Sequence, residues 1–512
     1  MRHQATFLAA FVGSLGFAAP SAVCAADNAA FVAQNVPTAM TAGQTSTVTV
    51  TMQNTGTTSW APSRDLGYKL GTQNPQDNTL WTGSTRVYMN PGESVIPGQS
   101  KVFTFNITAP ATPGTYNFQW RMVHEAVAWF GASSPNVAVN VTAPPVTLCP
   151  GVSVTPDGAT DLGPAIQACI DRSAAGGTLN LPPGVYGIGT QVLLSKPFTL
   201  QTRGLAGSTA SCEAAGSGCA VLRALPSFNT NGGGFLAVDS THEVTLDHLI
   251  LDGNRQARLG TTAAAQCAAG SNRYGFNARM SDCTFCRVIS CVSKNALCGS
   301  GMEFRGNDGV ITGNIFRANG QNAVSNMWAD GLTVHYSDRA TIVDNVFVDN
   351  SDVALIVGGG RGAVVQNNSI SQPGQVVFAG LMLDNFNGTT SGDFTGALVT
   401  GNTIDCSAAR NCHFGIQLGP HPWYLSTNIV GGEVRGNRVT SARQGISVEG
   451  AGTTAAPLLL YGNSVSGSAP SSARFNCGSH RTSDFNINTA DSVVDRGGDS
   501  TPITTFAWHL CP

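Results

Sequence analysis

Gly313-Asn314-Ile315-Phe316 opens the series of phrases that decides the fold. It returns as Asp344-Asn345-Val346-Phe347, Asn367-Asn368-Ser369-Ile370, Gly401-Asn402-Thr403-Ile404, Gly436-Asn437-Arg438-Val439 and Gly462-Asn463-Ser464-Val465. The Asn-to-Asn steps are 31, 23, 34, 35 and 26 residues, and Cys291 stands 23 residues before Asn314. A base period of roughly 22 with variable insertions describes a solenoid whose coils bury their apolar faces against one another. Asparagine suits a repeated corner. Its amide can satisfy buried backbone groups and the amides above and below it, and it tolerates left-handed backbone.

A second element follows each asparagine phrase: Gly301-Met-Glu-Phe304, Gly331-Leu-Thr-Val334, Val353-Ala-Leu-Ile356, Gly380-Leu-Met-Leu383, Gly415-Ile-Gln-Leu418 and Gly445-Ile-Ser-Val448. These strands are expected to stack as one parallel sheet. Leu332 and Val334 would face inward, and Thr333 and His335 outward. The residues just before them are Ser300, Asp330, Asp352, Ala379, Phe414 and Gln444. That alignment puts Asp330 and Asp352 at equivalent positions of neighbouring coils, about 5 Å apart. The outward positions add Glu303, Arg305, Asp384, Gln417 and Glu449.

Composition agrees with such a coil. Of the 512 residues only 11% are charged, while 60 are glycine, against about 25% charged in ordinary domains. Short strands need turn glycines, and few lateral faces need charge. A formal net charge of -3 leaves no basic face for phosphates, so no nucleic-acid partner is expected. Residues 1–25 read as a signal peptide: Met1-Arg2-His3, an apolar run, then Val23-Cys24-Ala25 before the cleavage point. No later run is long enough to span a bilayer. A secreted or periplasmic protein without a transmembrane segment follows, with a monomer expected. The remaining thirteen cysteines all lie between Cys149 and Cys511, and disulfides are the natural reading in that compartment. Cys212/Cys219, Cys406/Cys412 and Cys477/Cys511 are candidate pairs. Cys283-x-x-Cys286 lacks the companion ligands of a zinc site.

The cysteine-free stretch 27–142 ends at Thr142-Ala143-Pro144-Pro145, and 143–148 reads as a linker. Before it, Thr45–Met52 and Lys101–Ile107 alternate as half-buried strands between turn residues, as in a β-sandwich. Trp60, Trp81, Trp120 and Trp129 are expected core anchors. The phrases Asn54-Thr-Gly-Thr-Thr-Ser-Trp60 and Pro113-Gly-Thr-Tyr-Asn-Phe-Gln-Trp-Arg-Met122 resemble the four-tryptophan immunoglobulin-like domain. The resemblance implies a binding or spacer module. After the linker, Asp157-Gly-Ala-Thr-Asp161 precedes Leu162, Ala165, Ile166, Cys169 and Ile170 at helical spacing, and Leu181-Pro-Pro-Gly-Val-Tyr186 follows. This resembles the N-terminal cap of the pectate-lyase-like superfamily. It implies an all-β chain: an Ig-like sandwich, then a right-handed parallel β-helix over 149–512 with a short capping helix.

One expected face carries most of the chemistry. Asp330 and Asp352, with Asp384 and His335, are the candidate catalytic residues. Carboxylates this close push their pKa values apart, and glycosidic cleavage needs one acid and one base or nucleophile. Glu303, Arg305, Arg361, Gln417, His421 and Trp423 are candidate binding residues for a polysaccharide substrate. Trp328-Ala-Asp330-Gly331 and Ser351-Asp352 resemble two of the three carboxylate positions of the polygalacturonase family. Ser351 stands where that family has its general acid, and the family's Gly-His-Gly and Arg-Ile-Lys elements are missing from their expected coil. Two other functions fit the same scaffold. A lyase or C5-epimerase would use Arg305, His335 or Arg361 as base, with calcium as a possible cofactor. A non-catalytic polysaccharide-binding or adhesin-like protein would use the face for recognition alone.

Overall fold

The computed structural model describes residues 26–63, 65–214, 217–386, 390–421 and 427–468, and the backbone of strands Phe485–Ile487 and Val493–Asp495. The expected signal peptide, Trp423 and the Cys477/Cys511 pair lie outside the described residues. The chain forms two compact units that part between Thr142 and Ala143.

The first unit is a two-sheet sandwich. One antiparallel sheet joins Ala29–Asn35, Thr45–Asn54 and Ser100–Thr108. The other runs Ala39–Thr41, Val137–Thr142, Gly114–His124, Tyr68–Gln73 and Arg86–Tyr88. Val48, Val50 and Met52 alternate with threonines and are fully buried, as a half-buried strand requires. Trp60, Trp81 and Trp120 are core residues. Trp129 is only half-buried and lies beneath the Arg86 guanidinium, 4.8 Å from its ring centre.

The second unit begins earlier than its sequence suggests. Val146–Cys149 pairs with Val152–Val154, Leu148 joins the core, and Cys149 is bonded to Cys169. The end of the expected linker therefore belongs to the cap. Helix Gly163–Arg172 buries Ile166, Cys169 and Ile170 over the first coil. Beyond it the chain winds through three parallel sheets of 11, 11 and 10 strands among the described residues, which is a parallel β-helix. Four further disulfides are Cys212–Cys219, Cys267–Cys298, Cys283–Cys286 and Cys406–Cys412.

The asparagine series forms one continuous ladder. The Asn314 amide donates to Asn345 Oδ1 at 2.9 Å, Asn345 to Asn368 at 3.0 Å, Asn368 to Asn402 at 2.9 Å, Asn402 to Asn437 at 2.9 Å and Asn437 to Asn463 at 2.9 Å. The buried Cys291 occupies the rung before, its backbone N–H donating to Asn314 Oδ1 at 2.8 Å. A shorter ladder at another corner links Asn319 to Asn350 at 2.9 Å.

Sheet register defines the outer face that matters. Met302, Leu332, Leu355, Leu381, Ile416 and Ile446 align in the interior. Glu303, Thr333, Ile356, Met382, Gln417 and Ser447 align beside them, on the outside. One expectation fails here. Ser300 does pair with Asp330, but the register of Leu332 with Leu355 sets Val353, not Asp352, opposite Asp330. The cause is local. The N–H groups of Ser351 and Asp352 both donate to the Ala329 carbonyl, at 3.2 and 3.1 Å. Two residues thus answer one, which is the signature of a bulge. Asp330 Oδ1 then accepts the Val353 N–H at 3.1 Å, holding its carboxylate beside Asp352 despite the slip.

Candidate active site

The bulge sits at the floor of a cavity of about 580 Å³ on this face. Strand Gly299–Arg305 contributes Ser300, Glu303 and Arg305, and strand Ala329–His335 contributes Asp330, Thr333 and His335. Asp352, Val353 and Ile356 follow on the next coil, then Phe378, Met382 and Asp384. Of the candidate residues, Asp330, Asp352, Asp384, His335, Glu303 and Arg305 therefore come together.

The other candidates do not join them. Arg361 lies past the corner, exposed, and its guanidinium pairs with Asp393 at 2.9 Å. Its expected place near the aspartates fails because Gly359 and Gly360 carry it past the end of strand Val353–Gly358. Gln417 follows the outward column, but its amide turns back onto the carbonyls of Leu418 and Gly419 and does not line the cavity. His421 is held at another rung, its N–H donating to the Glu449 carbonyl at 3.1 Å.

The two aspartates share one electrostatic problem. Burial, and then the Asp352 charge, hold the Asp330 carboxyl well above the usual carboxylate range. Thr333 Oγ1 at 2.6 Å and Ser300 Oγ at 3.4 Å work in the opposite direction by donating to Asp330 Oδ2. Burial raises Asp352 to about 6. Two neighbouring carboxyls raised in this way both hold their protons to higher pH than free carboxylates do. Ser351, by contrast, is a structural tie. Its Oγ donates to the Asn319 carbonyl at 2.9 Å and accepts the Ala329 N–H at 3.1 Å, so it offers the cavity no acid.

The bases and cations separate into two kinds. Arg279 pairs with Glu303 at 3.1 Å. Arg305 instead stacks over Tyr336 at 4.9 Å and has no carboxylate partner among the described residues. His335 is driven down to about 4 by burial, so its imidazole is neutral at neutral pH. Its Nε2 is buried without a partner. Gly358 makes room for the ring, since a Cβ there would lie 2.7 Å from His335 Cδ2. Among the described residues no three His, Cys, Asp or Glu side chains converge as a metal site.

Several lining residues carry no signal in the repeats. Gly270, Asn272, exposed Arg273 and Phe276 come from the long insertion 254–276 between coils. Asn326 and Trp328 come from the next insertion, and Phe386 from the loop after strand Val377–Leu383. Trp328 and Phe386 are 38% and 44% exposed, so two aromatic faces stand at the rim. Loop length alone hinted at these segments, because long loops in a solenoid gather on its binding face.

Family models match both units, an Ig-like domain in the first and a pectate-lyase-like domain in the parallel β-helix. Residues 152–378 match the family described as rhamnogalacturonase A/epimerase, pectate lyase-like. Residues 35–142 match the Ig-like domain from next to BRCA1 gene. No curated protein matches the chain. Among solved structures, a family 28 exopolygalacturonase of Yersinia enterocolitica is 13% identical with a TM-score of 0.44, covering 94% of this chain and 90% of its own. An endo-xylogalacturonan hydrolase of Aspergillus tubingensis is 15% identical with a TM-score of 0.37, covering 67% and 98%. A DFA-IIIase of Arthrobacter chlorophenolicus is 15% identical with a TM-score of 0.40, covering 68% and 97%.

Proposed function

We propose that this protein is an exported glycoside hydrolase that cleaves an acidic, pectin-like polysaccharide in the cavity above Asp330 and Asp352. The observation that carries the reading is the pair itself: two half-buried carboxyls from neighbouring coils, both raised, inside a concave site. Asp330, the more strongly raised, is the general acid and protonates the leaving oxygen. Asp352, ionised above about pH 6, acts as the base for water or as the nucleophile. Arg305, lacking a carboxylate partner, and Arg273 at the rim favour a substrate that bears carboxylates. Trp328 and Phe386 offer stacking faces to sugar rings. Export is supported by the leader-like residues 1–25 and by five disulfides among the described residues. No helix among the described residues is long and apolar enough to cross a membrane.

A second reading, elimination or epimerisation at a uronate, rests on His335. A neutral imidazole with an unpartnered ring nitrogen can remove a proton next to a carboxyl group. One assay on a panel of acidic polysaccharides separates the readings. New reducing ends without new ultraviolet absorbance support hydrolysis. Reducing ends with the absorbance of an unsaturated uronate support elimination and refute the first reading. Binding without reducing ends, new absorbance or a change of C5 configuration in the polymer's proton NMR spectrum supports the recognition-only alternative.

A further inference from the structure

A second constellation lies outside the cavity, where the loop between strands Phe198–Thr202 and Ala220–Ala224 meets the end of strand Val244–Asp247. Ser208 Oγ stands 3.2 Å from His248 Nε2, and His248 Nδ1 stands 2.5 Å from Asp247 Oδ1. The bonding fixes the protons. Ser208 Oγ already accepts the Ala210 N–H at 3.3 Å. Its own O–H is therefore the donor toward Nε2, and the imidazole carries its proton on Nδ1, toward the Asp247 carboxylate.

Each member is held in place. The His248 N–H donates to the Ile289 carbonyl at 3.0 Å, and its carbonyl accepts the Thr202 hydroxyl. Asp247 lies in register between Gln201 and Ile289 of the neighbouring coils. The two side chains are 1% and 9% exposed. Cys212–Cys219 closes the loop that carries Ser208. Leu205 and both half-cystines pack on Ile250 and Val292. Ser208 itself is half-buried, between exposed Gly207 and exposed Thr209. An accessible hydroxyl thus stands over a buried imidazole and a buried carboxylate, the order that activates a serine nucleophile.

We propose that Ser208, His248 and Asp247 form a second active centre that hydrolyses small carboxylic esters. Ser208 Oγ attacks the ester carbonyl carbon while its proton passes to His248 Nε2, and Asp247 stabilises the imidazolium that forms. His248 gives that proton to the departing alkoxide. The ester C–O bond breaks, an alcohol leaves, and the acyl group stays on Ser208. Water then loses a proton to His248 and attacks the acyl carbon. The bond to Ser208 Oγ breaks, Oγ takes the proton back, and the carboxylic acid leaves. Ester and water give alcohol and acid, with no further reactant. Gly207, Thr209 and Ala210, all small and exposed, leave room for a short acyl group beside Ser208. The inference is independent of the glycan reading of the cavity.

The test treats the full chain with a fluorophosphonate and, separately, with p-nitrophenyl acetate. The expected result is a phosphonyl group on Ser208, located by peptide mass spectrometry, and release of p-nitrophenol that the labelled protein no longer supports. Ser208→Ala should lower kcat/KM for the ester by about 100-fold or more. Labelling of the wild type needs no variant to fold. Absence of label on Ser208, or label there only after unfolding in urea, overturns the proposal. So does ester turnover that Ser208→Ala retains, or labelling of Ser208 without any turnover.

Discussion

Asp352 carries a distinct pH signature. With its carboxyl raised to about 6, activity should fall on the acid side with a limb near that value. The alkaline limb is set by the proton on Asp330. Asp330→Asn and Asp352→Asn should each lower kcat by about 100-fold or more, and Asp352→Asn should abolish the acid limb in a pH–rate profile. A normal limb in that variant would exclude Asp352 as the titrating group. The same shift acts on stability. A carboxyl raised on folding contributes most favourably below its unfolded pKa of about 3.9 and loses that contribution as pH rises through about 6. Asp352→Asn should therefore melt higher than wild type at pH 8, by at most about 3 kcal/mol and less with screening in the cavity. The difference should close toward pH 4 in thermal melts. These aspartates were legible in the sequence because charge is sparse elsewhere. Arg279, Phe378 and Met382 were not, since nothing distinguishes them from ordinary strand residues before the register is known.

The corner ladder and the insertion 254–276 do their work as elements. Asn345 accepts two hydrogen bonds from Asn314 and donates to Ile311, Val343 and Asn368. Asn345→Ala leaves several buried groups unpaired and should cost about 2–4 kcal/mol, read by denaturant unfolding. The insertion is a built wall. Cys267–Cys298 ties it to the start of strand Gly299–Arg305. The guanidinium of the fully buried Arg258 binds the carbonyls of Gly253, Phe228 and Tyr274. Asn326 bridges to the Ala268 carbonyl at 3.0 Å. Gly299, at φ +80°, lets Phe276 press against its backbone. Replacing both Cys267 and Cys298 by serine should cost about 3–4 kcal/mol for a loop of this length. It should raise KM more than it lowers kcat, because Asn272, Arg273 and Phe276 lose their fixed positions while the aspartates keep theirs. An unchanged KM would show that the wall contributes stability alone. The asparagine repeats and the capping helix were readable from spacing. The bulge at Ser351 and Asp352 was not, because the sequence phrase aligns equally well one residue earlier.

At the scale of the whole molecule, every residue of the cavity lies between 270 and 386, inside the second unit. Residues 143–512 alone should retain kcat on short soluble oligosaccharides. A rise in KM confined to polymeric substrates would assign the Ig-like unit to polysaccharide binding; a loss of kcat on short substrates would contradict the placement of the site. The order of the two units, the all-β class, the coil period and the corner asparagines were determined by the sequence alone, because each depends on periodicity and local turn chemistry that repeat within about thirty residues. The company of Asp330 and Asp352 was decided only by tertiary structure. It required a one-residue bulge, a carboxylate reaching the Val353 N–H, and insertions from separate coils folding over one face. Those are non-local contacts, and a slip of one residue in register would have turned the same side chains elsewhere.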